Sequence, residues 1–196
     1  MSGAPDRLGG TEQDAEQLAE QAGLNVDVAA AEGGASEGEG EGRLSEVELR
    51  LADLQLAVPA VAAPVASYIP AVEHGGLVFT SGQLPFVDGA LPETGKVGAD
   101  VPEDDAIAFA EIACLNALAA VKSVIGDLDR VTRVVKATVF VNSAAGYTGQ
   151  PKVANGASEL LGAVFGDAGR HARSAVGVAE LPLDSPVELE LVVAYE

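Results

Sequence analysis

The sequence predicts an α+β fold in which a mixed sheet carries two helices on one face and a disordered acidic arm precedes the domain. Three observations predict it. Alternating apolar residues mark strands on both sides of two long helical segments, glycine or proline stands at the ends of those segments, and residues 1–43 hold few apolar side chains among many Gly and Glu. We therefore divide the chain into an arm, 1–43, and one domain, 44–196.

The arm is predicted to be disordered. Residues 1–50 carry 12 acidic and three basic side chains, which gives −9 of the total charge of −19. Such a stretch buries too little apolar surface to offset the entropy lost on ordering. It has no basic segment followed by an apolar one and no run of about 18 apolar residues, so we expect a cytoplasmic protein without a membrane span. The arm is either a solubilising leader or a docking tail for an unknown partner.

The first half of the domain is predicted to contain two helices and three strands. The helix at Ser45–Leu56 is amphipathic. A longer one begins after Pro102 and ends at Gly126, with acids in its first turn. Its helical spacing places the only cysteine, Cys114, among apolar residues, so we expect a small buried side chain rather than a nucleophile. The strands are predicted at Tyr68–Val72, Gly76–Ser81 and Leu84–Asp88, the last ending in an Asp88-Gly89 turn.

The second half is predicted to run strand, helix, strand, strand. Val131–Asn142 is rich in Val and Thr, as strands are, and Pro151–Phe165 begins with proline and ends before a glycine, as helices do. The last two strands, beginning near Gly169 and at Val187, are separated by a short turn, so we expect them to be neighbours.

Cationic side chains cluster at the start of the first of these strands. Arg170, His171 and Arg173 lie within four positions of a chain that is strongly acidic, which indicates that the cluster holds an anion. For His171, a simply exposed side chain is the alternative. A guanidinium can bind a carboxylate through two parallel hydrogen bonds. If the last two strands are neighbours, Arg173 lies near Glu188, and the pair combines carboxylate recognition with an acid/base group.

Five segments of the domain resemble the RidA family of enamine/imine deaminases. They occur in the order and with the spacing of that family, from about Leu51 to the C-terminus. The resemblance implies a chorismate-mutase-like fold, assembled as a homotrimer with sites between subunits. The segments are Tyr68-Ile69-Pro70-Ala71-Val72, Phe79-Thr80-Ser81-Gly82-Gln83-Leu84-Pro85, Val135-Lys136-Ala137-Thr138-Val139-Phe140-Val141, Asn155-Gly156-Ala157 and Arg173-Ser174-Ala175-Val176-Gly177-Val178.

The resemblance also implies the roles of individual residues. Arg173 matches the arginine that binds the substrate carboxylate, and Glu188 matches the acidic residue that positions or activates water. A surface ion pair is the alternative for Arg173. For Glu188 it is an outward-facing carboxylate like Glu190, because the alternation of the strand puts both acids on one face.

Five further positions match the family's substrate pocket. Tyr68 would line it, Ser81 and Gly82 would form a loop that lets backbone groups approach the ligand, and Asn155 would lie near the start of the second helix. The alternative for Tyr68 is a tyrosine in the core, and for Ser81 and Gly82 it is an ordinary turn. For Asn155 it is a polar residue on the helix surface. Ala175 stands where the family has a cysteine, so a backbone N–H contact is possible there and thiol chemistry is not.

Other chemistries lack their residues. The chain has only two histidines, His74 and His171, and no zinc pattern, phosphate-binding loop, dinucleotide fingerprint or nucleophile elbow. We therefore expect no metal and no cofactor. Some names given to this family refer to RNA cleavage. Residues 51–196, however, carry a net charge of −10, whereas nucleic acid binding needs a basic surface.

Two functions of different class remain. The resemblance implies hydrolysis of reactive 2-enamine or 2-imino acids, such as 2-aminoacrylate, 2-iminopropanoate and 2-iminobutanoate, to 2-keto acids and ammonia. That would be a metabolite damage-control reaction. The alternative is a non-catalytic protein that binds a keto acid for regulation.

Overall fold

The structure is a computed structural model that describes residues 44–61 and 68–196. The predicted arm, 1–43, lies outside the described residues. The domain contains four α-helices and five strands within these ranges. They are α1 Glu46–Asp53, β1 Ala71–His74, β2 Leu77–Thr80, α2 Glu103–Ile125, β3 Val131–Asn142, α3 Gln150–Val153, α4 Asn155–Phe165, β4 Ala172–Val178 and β5 Val187–Tyr195.

The five strands form one mixed sheet in the order β1-β2-β5-β3-β4. β3 and β4 are parallel, as expected for strands joined by a helical crossover, and all other neighbours are antiparallel. The predicted α+β class is therefore confirmed. The expected pairing of the last two strands is wrong, because β5 lies between β2 and β3 while β4 lies at the edge.

The helices cover one face of the sheet and form the core with it. α2 is long and apolar enough to cross a bilayer, but most of it is buried inside the domain, as in the core helix of a globular protein. Cys114 is fully buried there, and burial, with Glu111 nearby, raises the pKa of its thiol. The opposite face keeps apolar side chains exposed: Val72 is 49%, Phe79 39% and Val176 43% accessible.

The helix ends follow the signals read from the sequence. The Ser45 side chain accepts from the Glu48 N–H, and the Glu48 carboxylate accepts from the Ser45 N–H, which forms a capping box on α1. Pro102 precedes α2, three acids occupy its first turn, and Gly126 ends it with a φ of 82°.

Two predicted elements differ from the structure. Leu84–Asp88 forms no strand. Only the Asp88-Gly89 turn is present, closed by a bridge between Val87 and Ala90. The Asn116 side chain on α2 donates to the carbonyls of Leu84 and Phe86, so this segment bonds to the helix instead of the sheet.

The predicted helix Pro151–Phe165 is divided into α3 and α4 at Ala154. The first predicted strand begins at Ala71 rather than Tyr68. The proline just before it, Pro70, has no N–H to give to a ladder, so it marks the strand boundary.

Candidate active site

Arg173 is held by the turn that joins α3 to α4. Its Nη1 donates to Asn155 Oδ1 at 2.9 Å and to Ser158 Oγ at 3.0 Å, and its Nη2 donates to the Pro151 carbonyl at 3.2 Å. A guanidinium has five N–H donors. Nε–H and the second Nη2 hydrogen have no partner among the described residues, so two donors are left for a ligand.

The register of the sheet aims Arg173 at the helices. Arg173 pairs with Ala137 on β3, and Ala137 pairs with Leu191 on β5. Paired residues project to the same side of a sheet. Ala137 and Leu191 are both buried in the core, so Arg173 projects toward the helical layer and meets Asn155 there. The structure thus brings together two of the predicted site residues.

Ser158 and His171 belong to the same cluster, and sequence reasoning missed Ser158. His171 Nδ1 lies 2.7 Å from the Gly169 carbonyl, which can only accept, so Nδ1 carries the proton. Nε2 then accepts from Ser158 Oγ at 3.1 Å. A signal was available, because Ser158 follows Asn155 by three residues and so shares its helix face.

These side chains line an open cleft of about 460 Å³. Two wall positions are glycines, Gly162 and Gly169. No carboxylate pairs with Arg173 among the described residues, so the alternative of a surface ion pair is wrong in the part of the chain described. The lining residues are Ser158, Gly162, Gly169, Arg170, His171 and Arg173.

Glu188 lies on the other face of the sheet. It pairs with Phe140 on β3, and Phe140 pairs in turn with Val176 on β4, whose side chain is exposed. The three residues therefore project from the face that the helices leave uncovered. Glu188 is half-buried, and burial together with the like charge of Glu190 raises the pKa of its carboxyl group. A half-buried carboxyl with a raised pKa takes up a proton more readily than an ordinary glutamate, which suits an acid/base group.

Gly82 leaves the room that the Glu188 carboxylate occupies. A Cβ placed on Gly82 would lie 1.7 Å from Glu188 Oε1 and 2.7 Å from its Cδ. No side chain therefore fits at position 82 while Glu188 keeps this position, and two predicted site residues are in direct contact.

Ser81 ties the segment of Tyr68 to the end of β2. The Ser81 hydroxyl donates to the Ile69 carbonyl at 2.7 Å, and its N–H donates to the Pro70 carbonyl at 2.8 Å. Tyr68 is 44% exposed, so the alternative of a core tyrosine is wrong.

The site residues thus form two groups, which we call the arginine half-site (Arg173, Asn155, Ser158) and the glutamate half-site (Glu188, Gly82, Ser81 with the Tyr68 segment). The expected proximity of Arg173 and Glu188 is wrong within one chain. β3 separates their strands and the register offsets them by three residues, about 10 Å in each direction. Because side chains alternate between the two faces along a strand, an offset of three residues also puts Arg173 and Glu188 on opposite faces of the sheet.

Ala175 belongs to neither group through its side chain. It shares the inward face of β4 with Arg173, where it packs at the margin of the core. Its backbone lies on the edge strand, and every second N–H of an edge strand has no strand partner. A backbone contact to a ligand is therefore still the expected role at this position.

The described residues contain no group of three or more His, Cys, Asp or Glu arranged to hold a metal ion. The ionisable groups at hand are an arginine with two free donors, a histidine bonded to a serine, and a half-buried carboxyl. The arginine can bind an anion, and the carboxyl, on the opposite face of the sheet, can accept a proton.

A mixed sheet with helices on one face, an edge-strand arginine held by an asparagine, and a carboxyl packed on a glycine define a chorismate-mutase-like α+β protein. The chain belongs to the family described as "YjgF/chorismate_mutase-like, putative endoribonuclease", whose model matches residues 48–195. This is the family that the five segments predicted under the name RidA.

Three relatives show the range of names within it. Protein TCP17 of Trypanosoma cruzi is 45% identical over 148 residues, which cover 75% of this chain and 92% of that protein. The 2-iminobutanoate/2-iminopropanoate deaminase of Escherichia coli K12 is 31% identical over 130 residues, 66% of this chain and 88% of the enzyme. The solved structure of Atu1372 from Agrobacterium tumefaciens is 41% identical, covers 77% of this chain and 93% of its own, and superposes with a TM-score of 0.73.

Proposed function

We propose that this protein hydrolyses short-lived 2-enamine and 2-imino acids to 2-keto acids and ammonia. The observation that carries the proposal is Arg173, which is fixed by three hydrogen bonds and keeps Nε–H and an Nη2 hydrogen for a carboxylate. The deaminase among the relatives supports the reaction class.

The reaction requires a carboxylate anchor, a water molecule and a proton acceptor. In the proposal Arg173 anchors the carboxylate, and an enamine first takes a proton at C3 to become the imine. Glu188 accepts a proton from water as its oxygen bonds to C2 and the C=N electron pair moves to nitrogen, which is protonated. The new hydroxyl group then loses its proton and its oxygen forms the C=O bond, while the amino nitrogen takes up a proton and the C–N bond breaks to release ammonia. Imine and water thus balance keto acid and ammonia, and no oxidant or reductant is consumed.

The two half-sites would meet between subunits. Arg173 and Glu188 point to opposite faces of one sheet, so one chain alone cannot apply both to a small substrate. The uncovered face with Val72, Phe79 and Val176 supports an assembly in which other copies cover it. We propose a homotrimer with three sites, each combining the arginine half-site of one subunit with the glutamate half-site of the next.

Ammonia release from freshly generated 2-iminobutanoate tests the reaction. The wild-type chain should accelerate it over buffer, and both Arg173→Ala and Glu188→Gln should abolish the acceleration while the domain stays folded and the oligomeric mass stays the same. A wild-type chain that binds 2-oxobutanoate but never accelerates ammonia release is the regulatory binder instead.

Mixing the two inactive variants tests the shared site. After co-expression at equal amounts, about a quarter of the interface sites would combine an intact Arg173 from one chain with an intact Glu188 from another, so activity should return to about that fraction. Light scattering on the same sample checks the trimer. No recovery in an assembled mixture would contradict a site shared between chains.

A further inference from the structure

The cleft beside Arg173 carries more positive charge than one carboxylate requires. A second guanidinium, that of Arg170, lines it together with Arg173 in a chain whose net charge is −19. We infer that Arg170, with His171 and Ser158 in the same cleft lining, forms a subsite for a second anionic group, so that the preferred substrates are short 2-imino dicarboxylic acids. This inference rests on the proposed function, because it takes Arg173 as the anchor of the first carboxylate.

The spacing along β4 suits two carboxylates of one small molecule. His171 precedes the strand by one position and lies two residues before Arg173, so the two side chains share a face with backbones about 7 Å apart. The Ser158 hydroxyl joins them, since it lies 3.1 Å from His171 Nε2 and 3.0 Å from Arg173 Nη1. Arg170 and Arg173 line the same cleft as this pair, so one short diacid can reach both guanidinium groups without leaving it.

Arg170 is available to bind such a ligand. Its one carboxylate contact among the described residues is Asp167 at 3.7 Å, and the two side chains are 83% and 97% exposed. An ion pair this exposed contributes little free energy. A ligand carboxylate bound beside His171 would compete with Asp167 at small cost and gain a charge-assisted hydrogen bond.

The walls of the cleft leave room for the ligand. A Cβ built on Gly162 meets no atom within 4 Å, so that position faces open space. A side chain there would fill the cleft without disturbing the domain. The lining of the cleft thus combines two arginines with an unobstructed glycine position.

Direct binding separates this inference from the proposed reaction. Titration calorimetry on the full-length protein compares 2-oxoglutarate, with two carboxylates, with 2-oxobutanoate, with one. We expect 2-oxoglutarate to bind at least tenfold more tightly. Equal affinities would overturn the inference even if ammonia release is intact. A preserved preference without any ammonia release would uphold the subsite and refute the proposed reaction.

Three variants locate the preference. Arg170→Ser should reduce about tenfold the ratio by which 2-oxoglutarate binds more tightly than 2-oxobutanoate. Gly162→Asp should reduce this ratio more than Arg170→Ser does, because it places in the cleft a negative charge that repels the second carboxylate of the ligand. Lys152→Ser is the matched control, because it removes a cation that pairs with Glu103 outside the cleft, and it should leave the ratio unchanged. A ratio that falls equally in the control, or in none of the variants, would refute a local subsite.

Discussion

The contact between Gly82 and Glu188 gives the sharpest test of the glutamate half-site. In Gly82→Ala, the new Cβ would lie 1.7 Å from Oε1, 2.7 Å from Cδ and 3.0 Å from Cγ of Glu188, so the carboxyl group has to move. The obstructing atoms end a flexible side chain, so we expect a strained rotamer costing about 0.5–1.5 kcal/mol rather than an unfolded domain. At roughly 2–4 °C per kcal/mol, the melting temperature should fall by a few degrees at most.

Catalysis should respond far more than stability. Displacing a proton-transfer group from its position costs about 100-fold or more in rate. Ammonia release from 2-iminobutanoate should therefore drop by about that factor in Gly82→Ala, with KM for the substrate changing much less, because Arg173 and its hydrogen-bond partners are untouched.

A double-mutant cycle shows whether the contact itself is responsible. Glu188→Ala removes all three obstructing atoms, so adding Gly82→Ala to that variant should cost no further free energy of unfolding. Gly162→Ala is the stability control: its Cβ meets open space in helix α4, and it should raise stability by about 0.5–1 kcal/mol. Equal destabilisation by Gly82→Ala with and without the Glu188 side chain would refute the steric reasoning. Full activity in Gly82→Ala would refute the role of Glu188.

Four further predictions concern the protonation of Glu188, the core and the arm. Because burial and Glu190 raise the pKa of Glu188, the rate should fall on acidification with a midpoint above that of an ordinary glutamate, and Glu190→Gln should shift the midpoint down; an unchanged midpoint would contradict the coupling. The same raised pKa means that stability is lost as pH rises through it, so Glu188→Gln should raise the melting temperature at neutral pH, and a lower value would refute the sign. Cys114, buried with a raised pKa, should react with a thiol reagent only after unfolding in urea, and rapid labelling of the native protein would show an open core. Removal of residues 1–42 should change neither melting temperature nor ammonia release, and a loss of several degrees would show that the arm packs on the domain.

Local patterns in the sequence determined most of the elements. The bounds of β3 at Val131–Asn142 were predicted to the residue, since a strand alternates with period two and ends where its Val- and Thr-rich run ends. α2 begins after Pro102 and ends before Gly126 as predicted, because capping and termination depend on residues within one turn. The strand predicted at Leu84–Asp88 does not form, and the reason is non-local. Carbonyls of this segment bond to the side chain of Asn116, which is about 30 positions away in the chain.

The order of the strands was decided by the tertiary structure alone. The sequence identified Arg173, Glu188, Asn155 and Gly82 as site candidates, because each is a residue type with a definite chemistry inside a recognisable segment. It did not determine which of them meet. A short turn between β4 and β5 is compatible both with adjacent strands and with β3 between them, and the choice depends on burying the apolar face of β5 under α2 and that of β3 under α3 and α4. That choice puts Arg173 beside Asn155 and Glu188 beside Gly82, on opposite faces of one sheet.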